Sequence, residues 1–196
     1  GLKANAIPAR SVCTVFSMAL SQKKADEFVQ KCKTACDPDL NITVESAGVC
    51  PLAADEALSR KAVDFFFLLP NGIQAMSEDI PGLVETSLNL GILKTAKERL
   101  SLSFAVRSSK NAQKTALLDK MEAVAKRFGA DFSTHGHYPA WEYREHSRLR
   151  DTMAETFETL FDGAPKISVI HAGLECGLFC DKIENLDAVS FGPDMA

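Results

Sequence analysis

The sequence predicts an α/β chain of the α+β type, in which helices cover one face of a largely antiparallel sheet. Apolar residues at positions 88, 90 and 92 alternate with polar or small ones, and the alternation returns at residues 100–106. Two such runs joined by a short connection indicate an antiparallel hairpin with one face in water. Between residues 111 and 128 the apolar positions follow a helical period, and Gly129 stands where a left-handed C-terminal cap is expected.

Further helices are predicted at about residues 21–36, 52–69 and 147–161. Ser21 and Asp55 are of the residue types that cap a helix N-terminus. Short apolar or β-branched runs predict additional strands at residues 12–20, 42–44, 131–134, 167–170 and 186–191. Residues 70–82 carry turn residues without a clear period and are interpreted as a loop, and residues 139–146 are interpreted as a linker.

The composition narrows the classes of function. A chain of 196 residues with 46% hydrophobic and 24% charged residues has an ordinary globular balance. A net charge of -4 gives no reason to bind nucleic acid, and no run approaches the roughly 20 apolar residues that span a bilayer. The six cysteines form no Cys-x-x-Cys pair, so reduced thiols and a cytoplasmic location are expected. The first residues show no secretory leader, and Gly1 is interpreted as an excision boundary.

Arg107 is the first candidate for a ligand contact. It is expected on the polar side of the second hairpin strand with Ser101 and Ser103, and it is followed by Ser108 and Ser109. A guanidinium in this position could bind a carboxylate through two hydrogen bonds. An ordinary surface arginine gives the same pattern, and the pattern alone favours that simpler interpretation.

Other polar residues are candidates of the same kind. His171 and Glu175 share one glycine-containing turn, where they could act as metal ligands or as an acid–base pair. Asn5 could donate an amide hydrogen bond to a substrate, but asparagine is also a common turn residue. His135 and His137 form a His-x-His that precedes Tyr-Pro, and a loop explains this pair better than a metal site.

Five collinear blocks resemble the aminoacyl-histidine dipeptidases, a family also called β-alanyl-histidine or cytosol non-specific dipeptidases. The longest block is NGIQAMSEDIPGLVETSLNLG at residues 71–91. The other four are GLKANAIP at 1–8, FAVRSS at 104–109, YPAW at 138–141 and HAGLECG at 171–177. Together the blocks extend over nearly all of the chain, so the resemblance does not depend on one short motif.

Members of this family join a catalytic domain with two zinc ions to a lid domain inserted within it. The resemblance implies that residues 1–143 are a lid truncated at its start and that residues 144–196 are the returning part of the catalytic domain. The family holds zinc with a His-x-Asp motif, a Glu-Glu pair, further carboxylates and a late His. Neither motif occurs here, so zinc ligands and the general base are expected before residue 1 or after residue 196.

The resemblance also implies three substrate contacts. Asn5 matches a lid asparagine near the scissile group, Arg107 matches a lid arginine that binds the substrate carboxylate, and Gly173 matches a backbone contact from the catalytic domain. His171 and Glu175 lie in the same block as Gly173 and are kept as candidates. The expected parent reaction is hydrolysis of Xaa-His and other dipeptides by zinc-activated water.

Two functions are therefore expected. In the first, this segment supplies lid residues to a zinc dipeptidase, its partners are a dipeptide and the remainder of the catalytic domain, and the segment alone is inactive. In the second, it is a non-catalytic interaction or dimerisation module that uses exposed sheet edges. A homodimer is compatible with both functions.

Overall fold

The computed structural model describes residues 1–17, 19–35, 37–49, 53–96, 99–169 and 174–192. Within these ranges the chain forms one antiparallel sheet and five α-helices, the α+β class that the sequence predicts. Two compact units are present, one of Arg10–Lys61 and one that combines Gly1–Ala9 with Ala62–Ala196. In the part of the chain described, no helix has the length and apolar character needed to cross a membrane.

Helix α1 of the first unit spans Gln22–Cys32. Its N-cap is Ser21, whose hydroxyl accepts a hydrogen bond of 3.4 Å from the backbone N–H of Lys24. The predicted cap is confirmed. Ala25 and Val29, four positions apart on one side of the helix, are its buried residues.

The predicted strand at residues 42–44 does not form. The side-chain amide of Gln22 donates to the carbonyl of Ile42 at 2.7 Å and accepts from the N–H of Val44 at 2.8 Å. One side-chain amide therefore satisfies backbone groups that a neighbouring strand would otherwise pair. The described residues between 12 and 20 form no strand either.

Helix α2 spans Glu56–Leu68. The carboxylate of Asp55 accepts a hydrogen bond of 2.7 Å from the N–H of Leu58, which confirms the predicted cap. Near the end of this helix, the ring of Phe65 lies 5.3 Å from that of Phe128, centroid to centroid. The end of α2 therefore packs against a helix that covers the sheet.

The sheet has the order β1, β2, β3, with β1 at Gly72–Met76, β2 at Val84–Ala96 and β3 at Arg99–Ser108. Both strand pairs are antiparallel, and β2 with β3 is the predicted hairpin. The prediction of a loop at residues 70–82 was wrong, because β1 occupies part of it. Register shifts near Ala75 interrupt the pairing of β1, so its alternation is too short to see in the sequence.

Helix α3, at Asn111–Phe128, covers one face of the sheet. The core consists of Leu88 from β2 with Leu117 and Met121 from α3, and partly buried apolar side chains of β3 pack against it. The helix ends at Gly129, whose φ of 66° is left-handed as predicted.

The remaining helices are α4 at Arg148–Phe161 and α5 at Glu175–Lys182. Ser147 caps α4 through its hydroxyl, which accepts from the N–H of Arg150. Residues 175–177 begin α5, whereas a turn was predicted there. The strands predicted at 131–134, 167–170 and 186–191 do not form among the described residues.

Candidate functional site

The strand register places Arg107 on the face of the sheet opposite α3. Arg107 is paired with Ser87, and Val106 is paired with Leu88. Leu88 belongs to the core beneath α3. Because successive side chains of a strand alternate between faces, Ser87, Asn89 and Arg107 project to the other side. This side, defined by Ser87, Asn89 and Arg107, is the polar face.

The side chain of Arg107 is exposed, and it forms no ion pair with any residue that the structure describes. The two serines that follow have hydrogen-bond partners within the sheet. The hydroxyl of Ser108 lies 2.9 Å from that of Thr86, and buried Ser109 donates its N–H to the carbonyl of Glu85 at 3.0 Å.

Asn5 lies in a turn on the same polar face. The turn is closed by the N–H of Ala6, which donates to the carbonyl of Lys3 at 3.4 Å. The side-chain amide of Asn89 donates to the carbonyl of Ala4 at 3.3 Å and to that of Ala6 at 2.9 Å. Asn5 lies between Ala4 and Ala6 in the sequence, and its own side chain is exposed.

The turn also touches the backbone of β2 at Gly91. A Cβ atom on Gly91 would lie 2.3 Å from the carbonyl oxygen of Ala4 and 2.5 Å from its Cα atom. Gly91 lies at the register shift between Leu90 and Ile92. Glycine is required here because any side chain would overlap the backbone of the turn.

Of the candidates at residues 171–175, only Glu175 can be located, because His171 and Gly173 lie outside the described residues. Glu175 is the first residue of α5 and is exposed. Burial raises the pKa of Tyr138, and the nearby charges of Glu175 and Cys176 raise it further. Glu175 therefore lies near the Tyr138 phenol, just before the predicted linker.

The predicted linker is held in place by α3. The ammonium of Lys114, a buried residue, donates a hydrogen bond to the carbonyl of Tyr138, and burial lowers its pKa. The side chain of Asn111 accepts from the N–H of Ala140 at 2.9 Å, and the carboxylate of Glu142 accepts from the N–H of Asn111 at 3.0 Å. Helix α3 has no side-chain cap from Lys110, so Glu142 satisfies one of its free N–H groups.

The other side of the linker rests on α5. A Cβ atom on buried Gly177 would lie 2.9 Å from the carbonyl oxygen of Pro139 and 3.4 Å from the Cβ atom of Trp141. The segment is therefore packed between α3 and α5. Sequence reasoning missed these contacts because the bonded partners are 24 to 31 residues apart and no local pattern marks them.

Comparison with known proteins identifies the relatives of this chain. No family model matches it. The cytosol non-specific dipeptidase of Escherichia coli (strain K12) is 32% identical over an alignment of 203 positions, which covers 98% of this chain and 41% of that protein. The crystal structure of aminoacylhistidine dipeptidase from Vibrio alginolyticus matches with a TM-score of 0.66 and 33% identity, over 72% of this chain and 30% of that one. The chain is related to one segment of the aminoacyl-histidine dipeptidases.

The resemblance to the aminoacyl-histidine dipeptidases seen in the sequence is thereby confirmed, and so is the α+β fold. The chain spans 41% of the length of the Escherichia coli relative. The roles of Asn5, Arg107 and Gly173 stay predictions, as does a domain boundary near residue 143.

The zinc ions expected for the aminoacyl-histidine dipeptidases have no fitting ligand set in the described part of this chain. No group of three or more His, Cys, Asp or Glu side chains there could hold a metal ion. His135 and His137 are exposed in irregular chain, in agreement with the loop interpretation.

Proposed function

We propose that this chain supplies the substrate-binding lid of a zinc-dependent dipeptidase, together with the returning part of its catalytic domain. The substrates are Xaa-His and other dipeptides, and the enzyme is cytoplasmic. Zinc is held by residues outside this chain and supplies the activated water. The names of the two relatives, both dipeptidases, support the proposal.

The setting of Arg107 carries the proposal. Its guanidinium is exposed and forms no ion pair among the described residues, and it shares the polar face with the turn that presents Asn5. A guanidinium donates two parallel hydrogen bonds to a carboxylate, and the charge strengthens both. The free carboxylate of a dipeptide is a ligand of this kind.

Recognition of that carboxylate would also account for cleavage of dipeptides. When Arg107 fixes the C-terminal carboxylate, the only peptide bond of the substrate lies at a set distance from the guanidinium. Asn5 donates its side-chain amide to an oxygen nearer that bond, and the backbone of Gly173 contributes from the catalytic side. Closure of the lid over the substrate excludes bulk water from the site.

The test is a titration of the isotopically labelled chain with β-alanyl-histidine, followed by NMR at the Arg107 Nε–H and the Asn5 side-chain amide. Two charge-assisted hydrogen bonds in water predict a dissociation constant on the order of 10 mM. The carboxamide of the same dipeptide is the matched control, because it lacks only the negative charge. We expect the acid to shift both signals and the carboxamide to leave Arg107 unchanged, and an equal response to both ligands would contradict the proposal.

A second test concerns the missing zinc ligands. The purified chain with added zinc is expected to hydrolyse no β-alanyl-histidine above the rate of a zinc-only blank. Hydrolysis that depends on the chain would overturn the assignment of the zinc ligands to other segments.

The second candidate function is a non-catalytic interaction module. Strands β1 and β3 are the outer strands, and in the described chain neither outer edge has a strand partner. Such edges can pair with a second copy of the chain. Sedimentation with and without dipeptide separates the two functions, because concentration-dependent dimers without a ligand effect favour the module.

A further inference from the structure

We propose that Asn89 is a positioning residue that holds the Lys3–Ala6 turn, and with it Asn5, on the polar face beside Arg107. The inference rests on the proposed function, in which Asn5 and Arg107 bind the same substrate. It explains how Asn5, near the start of the chain, comes to lie on the same face as Arg107. Asn89 touches no substrate in this scheme and acts through Asn5.

The hydrogen bonds of Asn89 restrain the backbone on both sides of Asn5. Its side-chain nitrogen donates to the carbonyls of Ala4 and Ala6, at 3.3 and 2.9 Å. An asparagine amide has two N–H groups, so each carbonyl can receive one of them. Asn89 thus holds the peptide group before Asn5 and the carbonyl of the residue after it, and the bond from the Ala6 N–H to Lys3 restrains the peptide group between them, so Asn5 loses much of its backbone freedom.

The contact at Gly91 supports the same role independently of Asn89. The backbone of Ala4 lies so close to Gly91 that a Cβ atom there would come within 2.5 Å of its Cα and carbonyl atoms. Strand β2 therefore contacts the turn at two positions, Asn89 and Gly91, which lie two residues apart on the strand. One position attracts the turn by hydrogen bonding, and the other allows its close approach.

The residue type at position 89 is decisive because the turn presents only acceptors to it. Asp has nearly the shape of Asn but no N–H group, and its carboxylate would face two carbonyl oxygens. Gln keeps both N–H groups on a side chain one methylene longer. Asn89→Asp should therefore release the turn, and Asn89→Gln should retain part of the restraint.

The test measures the order of the turn and its response to ligand in the complete chain. In Asn89→Asp we expect the backbone order parameters of residues 3–7 to fall from about 0.85, typical of rigid backbone, to below about 0.6. Gly91→Ala should do the same without a change of charge. Ser101→Asp is the charge control, since Ser101 is exposed and pairs with Lys94 near the far end of the hairpin.

The ligand readout distinguishes positioning from general instability. With β-alanyl-histidine, Asn89→Asp should weaken the response of the Asn5 amide at least tenfold and leave the Arg107 Nε–H response in place. Asn89→Gln should recover part of the Asn5 response. Unchanged order in residues 3–7 in both Asn89→Asp and Gly91→Ala would overturn the inference. If the wild-type chain shows no Arg107 response, the proposed function fails, but the order parameters still decide the role of Asn89.

Discussion

Ser147 and Asp187 are joined by a hydrogen bond of 2.7 Å from the serine hydroxyl to the aspartate carboxylate. The second carboxylate oxygen accepts from the N–H of Leu149 at 3.0 Å, and the Ser147 hydroxyl accepts from the N–H of Arg150 at 3.1 Å. Two N–H groups in the first turn of α4 are thus satisfied by side chains 40 residues apart. The start of α4 is therefore tied to the last described segment of the chain.

Asp187→Asn should reduce stability in a pH-dependent way. The N–H of Leu149 and then the hydroxyl of Ser147 hold the pKa of Asp187 below its ordinary value of 3.8. A carboxyl with a lowered folded-state pKa adds stability above its unfolded pKa, and that stability is lost as pH falls through the folded pKa. The variant should have a lower Tm at pH 7, and the difference should shrink below pH 3.8.

Thermal unfolding followed by circular dichroism between pH 2 and 7 measures this effect. Asp119→Asn is the matched control, because Asp119 is exposed on α3. A Tm difference that is the same at every pH would show that the carboxylate charge does not act through these bonds.

Arg107→Lys should weaken binding of β-alanyl-histidine although the charge is kept. A lysine ammonium cannot donate two parallel hydrogen bonds in the plane of a carboxylate. Loss of one charge-assisted bond, about 1.5 kcal/mol, corresponds to roughly a tenfold higher dissociation constant. Arg99→Lys, on an exposed residue of the same strand, should leave the NMR titration unchanged. Equal affinity of wild type and Arg107→Lys would remove the argument for a bidentate contact.

Lys114→Ala should destabilise the packing of the linker on α3. The substitution removes the donor to the carbonyl of half-buried Tyr138. A fully buried acceptor left unsatisfied costs about 1–3 kcal/mol, so we expect a loss near the lower end of that range. Lys120→Ala, on the exposed side of the same helix, should change the free energy of unfolding by less than about 0.5 kcal/mol. Urea unfolding of both variants gives the comparison, and equal effects would mean that the Tyr138 contact contributes nothing.

The sequence predicts those elements that long local patterns encode. The alternation at residues 88–92 and 100–106 and the helical period at residues 111–128 correspond to β2, β3 and α3. The segment at 42–44 is only a short apolar run, and its backbone groups are paired by the side chain of Gln22. No pattern in residues 42–44 distinguishes that pairing from a strand.

The candidate site shows the same limit. Alternation alone predicts that Arg107 points away from the core, and the family resemblance is what draws attention to Asn5. The hydrogen bonds that hold the Lys3–Ala6 turn could not be predicted, because Asn89 bonds to Ala6 and Ala4, which lie 83 and 85 positions earlier in the chain. The contact of Ser108 with Thr86 could not be predicted either, because alternation gives the direction of a side chain and not its hydrogen-bond partner.

Gly129→Ala should lower stability because the native backbone at this position is left-handed. The φ of Gly129 is 66°, and its N–H donates to the carbonyls of Ala125 and Lys126 at the end of α3. A Cβ atom in this conformation costs about 1 kcal/mol, although nothing lies within 4 Å to clash with it. Gly163→Ala is the matched control, since Gly163 has equal space around it and a φ outside the left-handed range. Urea unfolding should therefore show a lower midpoint for Gly129→Ala alone, and equal midpoints for the two variants would mean that α3 can end without a left-handed cap.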